Sequence, residues 1–382
     1  MRTHFDLIVV GSGIMGTFHA YHAARQNKSV LLLEKDNFPV GATVRNFGQA
    51  VPSGLAGRWF GYGRRSLELY QELQSKTDLT VRKNGSVYIA SDADEWQLAN
   101  ELYDYYQKID YPCELLSRQS CLEKYPYLQK DYPVGAVFFL GELTVDSPKL
   151  MQQFLAYCSE QEGVTYINNA TVVECQSSTG TATVRLTNQK TFEATKVLIC
   201  NGHEFRMLYP ELFAQSGLIV SKLQMLQTIA FPELNMKGNI LTGLTIRRYE
   251  SFQELPSYAN LTTPAHYEEL KKWGIHVLFK QALDGSVVVG DSHEYAGAQN
   301  VDDLGYHIND YINQLIIEEA KRIVSFPVEK MQMSWAGFYS QTSNEIYEYD
   351  IDEHIRIVTG IGGKGMTSSG GYAEESIARL FS

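Results

Sequence analysis

The stretch Asp6-Leu-Ile-Val-Val-Gly-Ser-Gly-Ile-Met-Gly-Thr-Phe-His-Ala20 decides the fold of this chain. Its first half is a short apolar run, which predicts a buried strand of a parallel sheet. Gly11, Gly13 and Gly16 then turn the chain into a helix, so that free N–H groups at the helix N-terminus point outward. Such a turn favours a phosphate: the first glycine allows the tight turn, the second admits the ligand to the backbone, and the third lets helix and strand pack closely.

A second apolar run extends this unit. Ser29-Val-Leu-Leu-Leu33 predicts a neighbouring strand, and it ends in Glu34 about 20 residues beyond the glycines, where a carboxylate binds a ribose hydroxyl in dinucleotide sites. Strand, glycine turn, helix, strand and terminal acid within one unit predict a dinucleotide-binding site.

Composition narrows the class of protein. The 382 residues carry a formal net charge of -11, with lysine and arginine scattered along the chain, so nucleic acid is an unfavourable partner. No run of 18 apolar residues and no signal peptide is recognisable, so we expect no membrane contact and a cytoplasmic location. The cysteines are widely spread with no metal-ligand spacing, which indicates buried, reduced thiols and no metal site: Cys113, Cys121, Cys158, Cys175 and Cys200.

The order of apolar patterns predicts an α/β fold in which two domains are interleaved. A Rossmann-type nucleotide domain would take residues 1–78, 141–216 and 335–382, and an α+β substrate domain on a mostly antiparallel sheet would take 79–140 and 217–334. Residues 112–133 are expected to form short helix and loop, and Asp303 to Val324 a single amphipathic helix over the second sheet.

A second glycine cluster lies near the other end of the chain. Ile355-Arg-Ile-Val-Thr359 predicts a strand, and Gly360-Ile-Gly-Gly-Lys-Gly365 leads from it into a helix. A cofactor that contacts only the first unit, as NAD would, leaves this cluster without a role. FAD is long enough to bind the first glycine turn with its ADP half and the second with its flavin half, so FAD is the favoured cofactor.

At this point the residues resemble the FAD-dependent amine and amino acid oxidoreductases, the superfamily of D-amino acid oxidase, glycine oxidase and sarcosine oxidase. The resemblance runs over almost the whole chain, from the first glycine turn through Cys200-Asn-Gly202 and Trp335-Ala-Gly337 to Gly362-Gly-Lys-Gly-Met366. More narrowly, Arg45-Asn-Phe-Gly48 and Gly290-Asp-Ser-His-Glu-Tyr295 look like a bacterial subgroup associated with aminophosphonate breakdown.

The resemblance implies a set of FAD-binding residues. The first turn would hold the pyrophosphate, Glu34 the adenosine ribose, and the last turn the flavin carbonyl end, where a helix N-terminus stabilises negative charge. The implied residues are Gly11, Ser12, Gly13, Met15, Gly16, Glu34, Lys35, Ala42, Thr43, Arg45, Asn46, Val172, Asn201, Gly202, Gly337, Gly363, Lys364, Gly365, Met366 and Thr367.

Three departures from the family pattern carry predictions. Sarcosine oxidases attach flavin through a cysteine in a segment resembling Met333 to Ser340, and this chain has none there, so FAD should be non-covalent. Glycine and D-amino acid oxidases carry an arginine where this chain has Tyr339, which makes an ordinary α-amino acid doubtful. The strand Ser286 to Gly290 lacks the lysine with which sarcosine oxidases activate oxygen, which favours a dehydrogenase.

The implied reaction takes a hydride from the carbon beside an amine nitrogen, giving an imine that hydrolyses to aldehyde plus amine. An anionic substrate head calls for arginine, lysine, histidine or hydroxyl partners. The candidates are Arg45, Lys222, Arg248, His293 and Tyr339, with Arg247, Tyr249 and His203 as further possibilities. Each also has a structural interpretation: Arg247 and Arg248 as a solvated pair, Lys222 as a partner of backbone oxygens, and His293 as a satisfied core histidine.

The sequence thus predicts an FAD-dependent amine oxidoreductase acting on a small anionic amine, preferably 2-aminoethylphosphonate or its N-methyl form. Oxidation of a secondary amino acid such as sarcosine, or of glycine, is the alternative enzyme reading. A third hypothesis is a flavin-binding protein that catalyses no reaction itself. The oligomeric state is not predictable from the sequence.

Overall fold

The computed structural model describes residues 2–382, in three β-sheets. Its strands, in chain order, are β1 His4–Val10, β2 Val30–Leu33, β3 Gln49–Ala50, β4 Arg82–Lys83, β5 Ser86–Ala90, β6 Cys113–Ser117, β7 Gly135–Phe139, β8 Leu143–Thr144, β9 Thr165–Ile167, β10 Val172–Ser178, β11 Thr181–Leu186, β12 Thr191–Ile199, β13 Ile219–Ala230, β14 Asn239–Leu241, β15 Leu278–Gln281, β16 Ser286–Gly290, β17 Glu294–Gly297, β18 Met331–Gln341, β19 Tyr347–Asp350 and β20 Ile355–Thr359.

The α-helices are α1 Ile14–Arg25, α2 Gly57–Gln74, α3 Ala93–Lys108, α4 Arg118–Lys124, α5 Ser147–Glu160, α6 Pro210–Gln215, α7 Gly243–Ile246, α8 Glu250–Gln253, α9 Glu268–Lys272, α10 Asp310–Ile323 and α11 Gly365–Leu380. No helix among residues 2–382 combines the length and apolar character needed to cross a membrane.

The first sheet is built around the strand that opens the chain. Its parallel centre runs in the order β9-β2-β1-β12-β20, with the antiparallel strands β10, β11 and β19 attached. Leu7, Ile8 and Val9 of β1 are fully buried because helices or loops cover both faces. Helix α1 begins directly after the glycine turn and packs on α11, so the two glycine clusters are brought to one edge of this sheet.

The second sheet is mostly antiparallel, and the fold class predicted from the sequence is confirmed. Its order is β17-β13-β16-β15-β14-β5-β7-β6, with β18 also paired to β13. Only the pair β14 and β5 runs parallel among its ladders. Helix α10 buries Ile312, Ile316 and Ile323 in the hydrophobic core formed with this sheet. The small third sheet joins β3, β8 and β4.

Two local predictions were wrong in detail. Residues 112–133 include the strand β6, which pairs with β7. The helix expected from Asp303 begins only at Asp310, because Gly305 turns the chain at a positive φ of 59° and the side chain of Asn309 caps the helix by accepting from Tyr311 N. The segment after Gly217 forms one continuous strand, β13, which also buries the polar residues Ser221, Lys222 and Gln224.

The two large sheets alternate along the chain. The first takes its strands from residues 4–33, 165–199 and 347–359, and the second from 86–139 and 219–341. β18 spans the predicted boundary at residue 334. The proposed division into domains at 78, 140, 216 and 334 stays a prediction.

Candidate active site

A cavity of about 560 Å³ lies at the carboxyl ends of the parallel strands and reaches both glycine turns. This is the edge at which open α/β sheets bind their ligands. Of the residues that the sequence predicts to hold a cofactor, those lining this cavity are Gly11, Gly13, Met15, Glu34, Lys35, Ala42, Thr43, Arg45, Asn46, Val172, Asn201, Gly202, Gly363, Gly365 and Met366.

The first glycine turn leaves no space for a side chain at Gly11 or Gly16. Gly11 has a φ of 100°, and a Cβ there would lie 2.4 Å from the Cys200 carbonyl oxygen at the end of β12. The Glu34 carboxylate accepts hydrogen bonds from Ser12 N at 3.0 Å and from Ser12 Oγ at 2.9 Å. Ser12 is therefore bound to Glu34 rather than open to the cavity, while the Thr43 hydroxyl accepts from Ile14 N at 3.0 Å.

The second glycine turn and the start of α11 contact α8 and the loop after β3. Lys364 Nζ lies 3.0 Å from Glu250 Oε1 on α8, and Thr367 Oγ1 accepts from Val51 N at 3.3 Å. These two side chains pack behind the cavity instead of lining it, as do Ser12, Gly16 and Gly337.

Arg45 links the loop after the first unit to β18. One guanidinium nitrogen, Nη1, donates to the Ala336 carbonyl at 3.1 Å, and Trp335 Nε1 donates back to the Arg45 carbonyl at 3.0 Å. The other N–H groups of this guanidinium stay available, and Arg45 lines the cavity. Asn46 shapes the same loop, because its amide donates to the Thr43 carbonyl at 2.6 Å.

Tyr339 lies beside Arg45 at the cavity wall. Its side chain is 7% exposed and lies across Gly337, where a Cβ would be 2.6 Å from Tyr339 Cε2. Burial is the main cause that raises the pKa of the phenol, and no hydrogen bond contributes. The hydroxyl therefore stays protonated and free to bind a ligand.

Two cations predicted as substrate partners are engaged elsewhere. Lys222 Nζ donates to the carbonyls of Leu304 at 2.8 Å and His307 at 2.7 Å, so it fixes the segment before α10 and does not line the cavity. The guanidinium of Arg247 is buried between the carboxylates of Asp92 and Glu95, at 2.5 and 2.6 Å. The alternative that Arg247 is a solvated residue is therefore wrong as well.

Arg248 and His293 both contact the Gly274 carbonyl, and neither lines either cavity. Arg248 donates to the Tyr295 hydroxyl at 3.1 Å, and His293 Nδ1 lies 2.9 Å from the Gly274 carbonyl. His293 stacks on His276, with ring centroids 5.4 Å apart. Burial lowers the pKa of His293 to about 3, so this ring is neutral near neutral pH.

His203 also lies at the cavity. It stacks on Phe338 with ring centroids 5.6 Å apart, and burial, assisted by the Arg45 charge, lowers its pKa to about 4. A neutral imidazole at this position contributes hydrogen bonding but no positive charge.

The sequence analysis missed a buried lysine. Lys280 on β15 is 5% exposed, lines a second cavity of about 1160 Å³ next to Arg45 and Trp335, and donates to the Val145 carbonyl at 2.7 Å. Burial lowers its pKa to about 7. β15 pairs with β16, the strand noted above for its missing lysine. The signal was a lysine directly after the apolar run Val277-Leu-Phe279.

The family model described as FAD dependent oxidoreductase (DAO) matches residues 6–379 of the chain. The chain belongs to this family. The FAD-dependent oxidoreductase is similar to a glycerol 3-phosphate dehydrogenase of Caloramator mitchellensis, at 22% identity over 96% of this chain and 71% of the relative. It is also similar to a glycine oxidase of Geobacillus kaustophilus, at 24% identity over 53% of this chain and 55% of the relative.

A solved structure supports the fold. Glycine oxidase from Geobacillus kaustophilus superposes with a TM-score of 0.78 over 99% of this chain and 95% of that one, at 18% identity. The residues present fit the cofactor that the family implies: both glycine turns line one cavity, Gly11 has no room for a side chain, and Glu34 lies at one end. FAD is therefore the cofactor of this oxidoreductase.

Proposed function

We propose that this FAD-dependent oxidoreductase oxidises the C–N bond of a small anionic amine, with 2-aminoethylphosphonate or its N-methyl derivative as the preferred candidates. The observation that supports an anionic head group is the pair of free donors at the cavity wall. Arg45 uses one guanidinium nitrogen for the Ala336 carbonyl and leaves the others open, and the Tyr339 hydroxyl forms no hydrogen bond with described residues.

This donor pair suits phosphonate or carboxylate oxygens. A guanidinium presents N–H groups in a planar fork, which binds two oxygens of one anion, and charge-assisted hydrogen bonds are stronger than neutral ones. Trp335 and Ala336 fix the Arg45 backbone and side chain, so the fork is already oriented before the substrate binds.

The residues of this chain would bind and orient the substrate rather than carry out the redox step. Bound FAD would supply the acceptor for the hydride that leaves the carbon beside nitrogen. Arg45 and Tyr339 would hold the head group, while the buried wall of the second sheet, with Met225 and Trp335, excludes water. The resulting imine takes up water and gives an aldehyde plus the free amine. The neutral His203 can accept or donate a hydrogen bond at the same wall.

Two other substrate classes are favoured by the relatives named above. A secondary or simple amino acid would place its carboxylate on Arg45, in line with the likeness to a glycine oxidase. Oxidation of the C–OH group of a phosphorylated alcohol is suggested by the glycerol 3-phosphate dehydrogenase, whose likeness covers 96% of this chain.

Anaerobic reduction of the bound flavin tests these proposals. The purified protein would be mixed with 2-aminoethylphosphonate, its N-methyl form, sarcosine, glycine, proline and glycerol 3-phosphate while the visible flavin band is recorded. We expect an aminophosphonate to bleach the band. Bleaching by glycerol 3-phosphate alone would contradict amine oxidation, and bleaching by none, with dithionite still effective, would favour a flavin protein without this activity.

Arg45→Ala tests the head-group assignment. Loss of a charge-assisted contact should raise the KM of the reducing substrate by roughly 10- to 100-fold, and Arg45→Lys should recover only part of it, because an ammonium lacks the fork. Lys149→Ala, an exposed cation at the second cavity, is the control for charge. We also propose that FAD is non-covalent, so that denaturation should release all of it into the supernatant.

A further inference from the structure

The second cavity adjoins the first and contains two basic side chains without an acidic partner. Arg45, Asn46, His203 and Phe338 line both cavities, so a ligand in the second can extend to the first. Lys280 lines only the second and is 5% exposed. Among residues 2–382 no carboxylate forms an ion pair with Lys280 or Arg45, whose side chains donate to backbone carbonyls instead.

The acids that line this cavity are bound to other groups. Asp146 accepts from a backbone N–H in the first turn of α5, and Asp284 accepts from a backbone N–H and a hydroxyl two residues further on. Asp302 forms an exposed ion pair with Arg206 at 2.7 Å. An anion that enters the cavity therefore meets donors that no carboxylate of the protein occupies.

The loop that carries Arg45 also contacts Lys280. A Cβ on Gly48 would lie 2.6 Å from Lys280 Nζ and 3.1 Å from Ser147 Oγ. Arg45 precedes Gly48 by three residues, so their Cα atoms are at most about 11 Å apart. Between them, the side-chain oxygen of Asn46 accepts from the Ser147 hydroxyl at 2.9 Å. Arg45 and Lys280 thus approach one cavity from the two ends of a short loop.

Helix α5 adds its N-terminus to the same wall. Ser147, Pro148 and Lys149 form the first turn of this 14-residue helix, and all three line the second cavity. The N-terminus of a helix carries partial positive charge, which favours an anion. Lys280 and the helix end therefore favour the same kind of ligand from different elements of the fold.

We propose that the second cavity binds the phosphonate or phosphate group of the substrate between Lys280 and Arg45. This inference rests on the proposed head-group role of Arg45 and narrows the substrate class from anions in general to tetrahedral dianions. A phosphate group carries close to two negative charges near pH 7 and three acceptor oxygens, whereas a carboxylate has one charge and two oxygens. Two basic side chains and a helix N-terminus suit the dianion better. The reacting carbon then extends from Arg45 toward the first cavity.

Lys280 has to gain a proton when such an anion binds. Burial lowers its pKa to about 7, so above pH 7 the amine is mostly neutral without a ligand. A neighbouring dianion favours the charged form and raises this pKa. Proton uptake on binding should therefore approach about one per site at pH 8.5 and about one half at pH 7. The other charged or titratable groups near Lys280 or at the cavity are Arg45, Arg82, Asp146, Lys149, His203, Asp284, Asp302 and Tyr306.

Titration calorimetry on the oxidised holoenzyme compares methyl phosphate with acetate, neither of which has an amine to oxidise. We expect wild type to bind methyl phosphate more tightly than acetate, and Lys280→Met to weaken methyl phosphate binding by roughly 10- to 100-fold. Lys149→Met removes an exposed cation at the same cavity and should change binding less than about threefold. An equal FAD content shows that the variants are folded.

Repeating the titrations in two buffers of different ionisation enthalpy counts the protons. Wild type should take up protons above pH 7 as given above, and Lys280→Met should take up none. This readout does not depend on turnover, and a merely structural role of Lys280 would not produce it.

Flavin reduction identifies the source of the dianion and separates the two proposals. Reduction by 2-aminoethylphosphonate or by glycerol 3-phosphate, together with loss of methyl phosphate binding in Lys280→Met, supports the site for an aminophosphonate or a phosphorylated alcohol respectively. If no compound reduces the flavin but methyl phosphate binds through Lys280, the proposed function fails and the anion site stands. Three results would overturn the site: equal binding of methyl phosphate and acetate by wild type, unchanged binding or proton uptake in Lys280→Met, and reduction by sarcosine or glycine alone.

Discussion

Replacing Lys280 with methionine should stabilise the protein, by an amount that depends on pH. In the folded protein burial lowers the pKa of the lysine to about 7 from its ordinary value of 10.5. At about 1.4 kcal/mol per unit, keeping this amine in the interior costs about 5 kcal/mol near pH 7. Methionine removes that cost but leaves the Val145 carbonyl without its donor, worth about 1–3 kcal/mol, so a net gain of about 2–4 kcal/mol is expected.

The sign of the pH dependence follows from proton binding. Between pH 7 and 10.5 the unfolded chain holds a proton on Lys280 that the folded chain does not, so the stability of the wild type rises with pH by about 1.4 kcal/mol per unit. Below pH 7 both states are protonated and the dependence disappears. The advantage of Lys280→Met should therefore shrink steadily from pH 7 to pH 9.5.

Urea denaturation followed by tryptophan fluorescence, at matched protein and FAD concentrations, measures this difference. Lys149→Met, which removes an exposed ammonium at the same cavity, controls for loss of one positive charge. A constant gap between Lys280→Met and wild type across this pH range would refute the interpretation that burial neutralises Lys280.

Further predictions concern the cofactor turn, a buried acid and the segment before α10. Gly11→Ala should abolish FAD retention, because the new Cβ would lie 2.4 Å from the Cys200 carbonyl oxygen. The control Gly163→Ala, also at a positive φ but with no atom within 4 Å of the new Cβ, should keep a full complement of FAD. The ratio of flavin to protein absorbance measures the FAD content, and a Gly11→Ala protein that is full of FAD would contradict the assignment. Glu142→Gln should remove a loss of stability between pH 4.5 and 7: burial raises the pKa of this carboxyl to about 7, so the folded state alone holds the proton in that window and wild-type stability falls as pH rises. An equal slope in both proteins would exclude Glu142 as its source. Lys222→Met should speed amide hydrogen exchange at residues 304–309, because two carbonyls there lose their donor; unchanged exchange would show that the segment is held by other contacts.

Local patterns in the sequence were enough to predict the elements that build the nucleotide site. The apolar run before Gly11, the spacing of the glycines and the acid at Glu34 each reflect a backbone requirement of one short segment, and the structure places them as expected. The second glycine cluster at 362–365 was assigned to the same cavity by the length of FAD, and it lines that cavity.

The roles of charged residues depended on partners far away in the chain. Arg247 forms ion pairs with Asp92 and Glu95, some 150 residues upstream. Lys222 donates hydrogen bonds to backbone carbonyls in a loop about 80 residues downstream. Sequence spacing predicts neither contact.

The interleaving of the two sheets has a consequence for biosynthesis. β12 is flanked on one side by β1 and on the other by β20, whose residues leave the ribosome more than 300 positions after those of β1. The face of helix α1 that packs on α11 likewise stays uncovered until α11 has been synthesised. During translation the nucleotide half is therefore an incomplete layer with uncovered apolar surface, and FAD can be held at both glycine turns only after β20 and α11 have been made. Chaperone dependence and flavin supply during expression should consequently limit the yield of holoprotein more than its final stability does.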